Sequence, residues 1–449
     1  MSTWGHTRHG AQGPDRPTGT YGPRASGGGI GRRALLLGAA AGAAVTACGG
    51  PAGLPRGQVA VHGDSAVWLK PMAAAGRRMK QVAGVELVPE AIPSLESFEQ
   101  VVTSSLRTDQ APDLLKYWSG YRLRDLARTG GIVDLTAHWD SAVARGWVDP
   151  SLRGAFTHRR RVYGLPMNLA YWVLYYNTEV FRDLGLAAPT TWDGFLAACA
   201  RLGRAGVTPL HVTTDQRWPA FIWFMEVLSR QDPRYYEDVL NGRARYTDPR
   251  AERALRTIAS FFERGWCSPL DTSHNDAAAD VVRGRLGMMP GGTFFGPVFA
   301  AAGGRPGRGI GAFVLPMADP GARRCVIFES AALVRTVSGP DRTEARRATA
   351  YWLHPEVMRA FAHTLKDGCP NPRVAPADPL IADIGRTVRH GRLRKLNRFW
   401  EQGPPELVEA VVDDLAGFLL DPSSYRTVLR TVQERADEAW RVWREDERA

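Results

Sequence analysis

The chain has 449 residues, 44% of them hydrophobic and 23% charged, with 47 glycines and 31 prolines spread along most of its length. That composition excludes a collagen, a coiled coil and wholesale disorder, and the length suits two or three domains with room for a ligand cleft between them. The formal charge of +11 falls to +7 once residues 1–47 are set aside, because there Arg8, Arg16, Arg24, Arg32 and Arg33 face only Asp15. The remaining excess is scattered among acidic neighbours without an aromatic-laced basic stripe, which argues against nucleic acid as a partner.

Residues 1–31 are rich in Gly, Pro, Thr and Arg and have no apolar periodicity, so they lack the surface to form a core. Arg32-Arg33 then precede an apolar run of 14 residues from Ala34 to Ala47. That is too short to span a bilayer and has the length of a signal-peptide apolar region. Arg32-Arg33-x-Leu35-Leu36 resembles a twin-arginine signal, although Gly31 stands where Ser or Thr is usual. Val45-Thr46-Ala47-Cys48 resembles a bacterial lipobox, whose cysteine takes a diacylglyceryl group. Residues 1–47 are therefore expected to be a signal peptide, Cys48 the lipidated residue and residues 48–57 a tether to the outer face of the cell membrane. Cys199, Cys267, Cys325 and Cys369 then remain, either joined in one of three pairings or free and buried. With no C-x-x-C and no Cys/His cluster, neither a structural metal nor another cofactor is expected.

From Gln58 the chain alternates short β-like runs with helical ones, the pattern of an α/β architecture. Val59 to Val61 reads as a strand, Ala73 to Val82 as a helix and Val85 to Val88 as a second strand. Ser94 to Arg107 reads as a helix with Leu95, Phe98, Val101, Val102 and Leu106 on its apolar face. Asp113 to Trp118 is a third strand, which puts Trp118 at a carboxyl end, where open α/β sheets bind ligands. A helix from Arg122 to Thr129, the break Gly130-Gly131 and a strand-like Ile132 to Thr136 follow. Next come an aromatic strand from Leu169 to Asn177, a helix from Phe181 to Leu184 and another that Thr190 or Thr191 caps and that runs to Arg204. Trp218 to Trp266 is helix-rich, and Gly284 to Gly292 opens a strand and a Gly-rich turn. Helices at Arg342 to Tyr351, Glu356 to Thr364, Pro405 to Leu419 and Tyr425 to Trp443 close the chain.

Tyr163-Gly164-Leu165-Pro166, then Leu174-Tyr175-Tyr176-Asn177 with Phe181 and Gly185-Leu186, then Pro189-Thr190-Thr191-Trp192-Asp193-Gly194-Phe195 stand in sequence. Around them lie Ala111-Pro112-Asp113-Leu114, Gly131 to Thr136, Gly206 to Leu210, Tyr246 to Pro249 and Gly287-Met288-Met289. In this order they resemble the extracellular solute-binding proteins of carbohydrate ABC importers, the maltose-binding-protein-like group. The resemblance implies a two-lobed periplasmic-binding-protein fold of type II, each lobe a discontinuous α/β sandwich, with the ligand in the cleft between them. It puts crossovers near Leu165 to Asn168, Met288 to Gly291 and Arg335 to Pro340. The first lobe would then hold residues 58–167 and 288–338, and the second 168–287 and 339–449. The implied partners are a small carbohydrate and the permease subunits of a membrane importer. Phe328-Glu329-Ser330 and Asp64-Ser65 depart from the family's usual residues and bear on the identity of the ligand.

Fourteen tryptophans suit the apolar faces of sugar rings. Trp118 is either a ligand platform or loop packing, and Asn168, Tyr171 and Trp172 follow the first implied crossover directly. Trp223 sits where related proteins offer aromatic subsites, though such spacing on a helix also suits a core. Gly292, Thr293 and Phe295 belong to a turn that resembles the family's ligand-facing one. Glu329 and Asp64, at strand ends, would accept hydrogen bonds from hydroxyls or favour a cationic solute. A polyamine or a phosphorylated polyol is the alternative ligand. A surface esterase or glycosidase is the alternative activity, because Gly63-Asp64-Ser65 and Asp271-Thr272-Ser273-His274 resemble parts of a GDS-type esterase. That set lacks the Leu after its serine, a G-x-N-D block and a terminal position for its histidine, so a binding protein without catalysis is the reading preferred.

Overall fold

The computed structural model describes residues 54–92, 95–108, 110–340 and 342–448. The expected signal peptide, Cys48 and all but the last residues of the expected tether lie outside them. Eleven strands make two principal sheets: β1 (Gln58–Gly63), β2 (Glu86–Ala91), β3 (Leu114–Tyr117), β4 (Leu165–Pro166), β5 (Ala170–Asn177), β6 (Thr208–Leu210), β7 (Leu286–Gly292), β8 (Ile310–Phe313), β9 (Cys325–Glu329), β10 (Ala332–Arg335) and β11 (Arg394–Asn397). The first sheet runs β2-β1-β3-β10-β4, and the second runs β11-β9-β5-β7-β6 with β8 also on β5.

In the first sheet β1 pairs in parallel with β2 and β3, while β10 returns antiparallel to β3 and β4. The parallel pairing requires crossover helices. Helix Leu69–Ala83 supplies one, burying Pro71, Met72, Ala75 and Met79 at helical spacing and ending at Gly84 in the left-handed conformation. It begins four residues earlier than the apolar pattern shows, because the short helical turn Ala66–Trp68 feeds directly into it. The strand read at Ile132 to Thr136 is reduced to a single bridge, Ile132 to Thr336, and Thr136 instead opens helix Thr136–Ala144.

The second sheet is built on β5, whose eight residues are buried apart from the half-buried Tyr176. One core covers the face bearing Tyr171, Val173 and Tyr175 and continues into the first lobe. The other covers the face bearing Trp172 and Leu174, beneath helices Phe221–Gln231, Pro249–Glu263 and Tyr425–Arg448. Thr191 caps helix Trp192–Arg204, accepting from the Gly194 N–H. Cys199, Cys267, Cys325 and Cys369 are all unpaired thiols.

The chain passes between sheets at three places. The first lies between β4 and β5, at residues 167–169. The second expected crossover, Met288 to Gly291, is corrected: these residues sit within β7, paired antiparallel with β5 from Met288 opposite Tyr176 to Gly292 opposite Trp172, and in parallel with β6. Met288 and Met289 are fully buried there, so the glycines that follow mark the end of a central strand. The passage occurs at Ser330-Ala331, between β9 of the second sheet and β10 of the first. The third, expected at Arg335 to Pro340, comes some thirty residues later. Helices Arg342–Tyr351 and Pro355–Leu365 pack on helix Leu69–Ala83 of the first lobe through apolar stripes that include Ala345, Ala348, Val357, Met358 and Phe361, and only after Leu365 does the chain return. Residues 288–330 thus fall with the second sheet, and 339–365 with the first.

One buried carboxylate ties these passages together. Asp367 accepts from the Asn168 amide at 2.8 Å, the Gly368 N–H at 2.7 Å and the Thr293 hydroxyl at 3.2 Å. The Asn168 oxygen in turn accepts from the Ala331 N–H at 2.9 Å. The Leu169 N–H donates to the Gly368 carbonyl at 3.0 Å, an approach so close that a Cβ on Gly368 would lie 2.1 Å from the Leu169 oxygen. All three crossovers are members of this knot.

Candidate ligand cleft

The carboxyl ends of β1, β3, β9 and β11 deliver side chains to one place between the lobes. Asp64 follows β1, and its Oδ2 receives the Lys116 ammonium of β3 at 2.7 Å while its Oδ1 receives the Trp68 indole N–H at 3.0 Å. Lys116 lies 4.3 Å from the ring centre of Trp118, so a cation is held between a carboxylate and an aromatic face. Burial pushes the Lys116 ammonium below its ordinary range, with Asp64 opposing. Arg122, one turn on, bonds Glu99 at 2.7 Å and lies 5.3 Å from the Trp118 ring.

The opposite wall belongs to the second lobe. Glu329, last residue of β9, accepts from the Trp172 indole N–H at 3.1 Å and pairs with Arg398, which follows β11. Arg398 also grips Glu401 with two nitrogens, at 2.5 and 3.0 Å, so a single guanidinium serves two carboxylates. Burial drives the Glu329 carboxyl up from its ordinary range, against the pull of Arg398. Trp172, Phe221 and Phe294 form an aromatic cluster beside it, and Phe221 packs on Phe399 and Trp400. The walls touch: Arg122 reaches Glu409 at 2.5 Å and lies 5.3 Å from Trp400. At Gly120, φ is +67° and a Cβ would lie 2.1 Å from the Glu401 carbonyl oxygen, so helix Gly120–Arg128 meets the opposite lobe backbone to backbone.

Of the residues singled out from the sequence, Asp64, Trp118, Trp172 and Glu329 come together in this cleft. Asn168 and Thr293 do not; they belong to the hinge knot. Tyr171, one residue from Trp172 on a strand, points to the other face of the sheet and joins that core. Trp223 is buried against Phe195 and Phe261 and donates to the His211 carbonyl at 2.8 Å, a core residue. Phe295 stacks on His274 at 5.1 Å, and Gly292 ends β7 under the Phe294 ring. The cleft residues missed are Trp68, Lys116, Arg122, Arg398, Trp400 and Glu401. Lys116 alone carried a signal, a lysine inside the apolar run Leu114-Leu115-Lys116-Tyr117-Trp118. In the esterase reading, Ser65 caps the turn Ala66–Trp68, and His274 is sandwiched between Trp218 and Phe295, each at 5.1 Å, with no hydrogen bond joining serine and histidine.

A family model described as bacterial extracellular solute-binding protein matches residues 62–358. The chain belongs to this family. An uncharacterised ABC transporter extracellular-binding protein of Pyrococcus horikoshii is 21% identical over 291 residues, 63% of this chain and 63% of that one. A probable sugar-binding periplasmic protein of Mesorhizobium japonicum is 26% identical over 322 residues, 67% of this chain and 73% of its own length. The match thus spans under two thirds of the first relative. Among solved structures, the bacterial solute receptor AcbH, described as preferring β-D-galactopyranose exclusively, aligns with a TM-score of 0.73 at 17% identity over 86% of this chain and 99% of its own. A chitin oligosaccharide binding protein gives 0.71 at 17%, over 86% and 100%. RafE of Streptococcus pneumoniae gives 0.68 at 16%, over 86% and 99%. At these identities the solved structures speak for the two-lobed fold. The family is one of extracellular solute-binding proteins.

Proposed function

We propose that this solute-binding protein is the carbohydrate receptor of an ABC importer, held to the outer face of the cell membrane by a lipid on Cys48. The observation that carries the reading is the meeting of tryptophan faces with paired carboxylates and cations across the two lobes. Ring faces of the half-buried Trp118 and Trp400 suit the C–H faces of a sugar, while the fully buried Trp172 holds Glu329 from behind through its indole N–H. Asp64, Glu329 and Glu401 offer acceptors, and Lys116, Arg122 and Arg398 donors, to hydroxyls. A ligand touching both walls favours the arrangement in which they meet, and the crossovers absorb the rotation. The names of the relatives and the sugars bound by neighbours of the same fold support the class. Nothing in the cleft is used for covalent change; the solute is handed to the permease subunits intact.

A thermal-shift screen of mono- and oligosaccharides, polyamines and phosphorylated polyols tests the ligand class, since binding to the native state raises its melting temperature. One or more saccharides should raise it, and Trp118→Ala should abolish the shift while Trp223→Phe leaves it. A shift confined to polyamines would replace the carbohydrate with a cation. For the anchor, Cys48→Ala should release the protein from the membrane fraction; unchanged association would overturn it.

A further inference from the structure

The second cavity that matters lies behind the hinge. It has a volume of about 300 Å³ and is lined by Leu169 of the first crossover, Gly368, Cys369 and Asn371 to Val374 of the third, Tyr171 of β5 and helix Pro379–His390. None of the cleft residues described above borders it. We propose that this cavity is a binding site for a small organic anion with a ring or short branched body, and that its occupant stabilises the arrangement in which the lobes touch.

Three observations converge. Tyr171 lines the cavity and is only 6% exposed, and its hydroxyl makes no hydrogen bond to a described residue yet is not sealed off, while its backbone is held by Thr293 and by pairing with Phe328. A phenol on a cavity wall with no protein partner is free to donate to a molecule bound there. The remaining walls include apolar Leu169, Val374 and Ile381, which suit a hydrocarbon body. At the mouth stand Arg373 and Arg389, neither in an ion pair with a described residue, while Arg386 is paired with Asp383 at 3.1 Å. Asp149 of the first lobe is the nearby acid and is itself held by Lys395 at 2.8 Å, so the mouth is net cationic. An anion with an apolar body meets each of these demands.

The position explains the effect. Tyr171 and Leu169 hang from the backbone that the knot fastens, through Thr293 and Gly368, to Asp367. Gly146 of the first lobe lies against Arg373, whose guanidinium would be 3.3 Å from a Cβ there. An occupant shaped to this gap therefore binds less well once the crossovers rotate, and it biases the lobes by that difference in affinity.

Phenyl phosphate is the probe, titrated calorimetrically into the full chain, with inorganic phosphate and phenol as separate arms. Saturable one-site binding of phenyl phosphate is expected, at least tenfold tighter than either fragment. Gly385→Leu fills the cavity from a helical position where an added Cβ meets only the flexible end of Arg389, at 3.3 Å, and should abolish binding. Arg389→Glu, on the exposed side of the same helix, should weaken it at least fivefold in a chain whose melting is unchanged. Absence of saturable binding, equal binding of inorganic phosphate alone, or unaltered binding in both variants would overturn the proposal.

Discussion

The hinge knot and the cleft walls both bury polar side chains, but the hinge closes its valences and the cleft leaves some open. At the hinge, Asp367 receives three donors and Asn168 both gives and accepts, so every partner has one geometry. In the cleft, the Ser119 hydroxyl and Arg122 Nε are buried without a hydrogen-bond partner, and Glu329 and Glu401 divide one arginine. A satisfied network fixes the backbone around it, whereas unpaired groups in a cleft are stable only if something else is there to complete them. The contrast separates residues that position the lobes from residues proposed to hold the solute.

The largest effect should follow from removing the shared cation. Arg398→Met leaves Glu329 and Glu401 buried without a counter-charge, which costs about 3–5 kcal/mol in comparable cases. The pH dependence has a definite sign. The Glu329 carboxyl already has a folded-state pKa raised above its ordinary value, so the folded state takes up a proton more readily than the unfolded one, and acidification favours folding through this group. The deficit of Arg398→Met, measured by denaturant unfolding, should therefore shrink as pH falls from 8 towards 5; a deficit that grew would break the account of the pair. At the hinge, Asp367→Leu strands the Asn168 amide, the Gly368 N–H and the Thr293 hydroxyl. At about 1 kcal/mol or more for each orphaned donor, it should lose about 3 kcal/mol.

A histidine pair tests the opposite sign. Burial lowers His211 to about 3 and His274 to about 4, and the two rings meet edge to face at 5.2 Å. Both are neutral in the folded state and protonate near 6.5 when unfolded, so their contribution is intact above about pH 6.5 and is lost as pH falls towards 4. A single histidine held neutral loses about 1.4 kcal/mol per pH unit below that point, less for the partly exposed His274. His211→Gln should therefore lose less stability between pH 7 and 4.5 than the parent does. A parallel loss in both would remove His211 as the cause.

How much of this was readable in the residues follows the same division. Strand ends and the family's motif order placed Asp64, Trp118, Trp172 and Glu329 together, because a strand's carboxyl end and its alternation are local properties. Tyr171 was misplaced by one residue of that alternation, which sends neighbours to opposite faces. Arg398, Trp400 and Glu401 follow a short edge strand whose place beside β9 depends on long-range pairing, and no local pattern encodes it. The second and third crossovers failed for a related reason. A Gly-rich strand end looks the same whether the chain crosses or continues, and only the pairing of β7 with β5 decides. Asp367 was invisible: a single acidic residue before Gly368 becomes the centre of the hinge through partners some seventy and two hundred positions away.

The smallest expected change gives the sharpest version of the comparison, because it sets one buried hydroxyl against another. Thr293 is fully buried, and its Oγ1 accepts from the Tyr171 N–H at 3.2 Å while donating to Asp367 at 3.2 Å. Thr293→Val keeps the shape but strands the Tyr171 N–H and removes one donor from Asp367, so it should cost about 1–3 kcal/mol and leave ligand affinity unchanged once the protein is folded. Ser119 is also fully buried, beside Trp118, but its hydroxyl has no partner to lose. Ser119→Ala removes an unsatisfied group and should move stability by less than about 0.5 kcal/mol, in either direction. Its affinity for the solute should fall all the same if the cleft's open valences are completed by the ligand. Paired unfolding and calorimetry on the two variants read both quantities. The division between hinge and cleft fails if Ser119→Ala proves the more destabilising, or if the solute binds both variants and the parent alike.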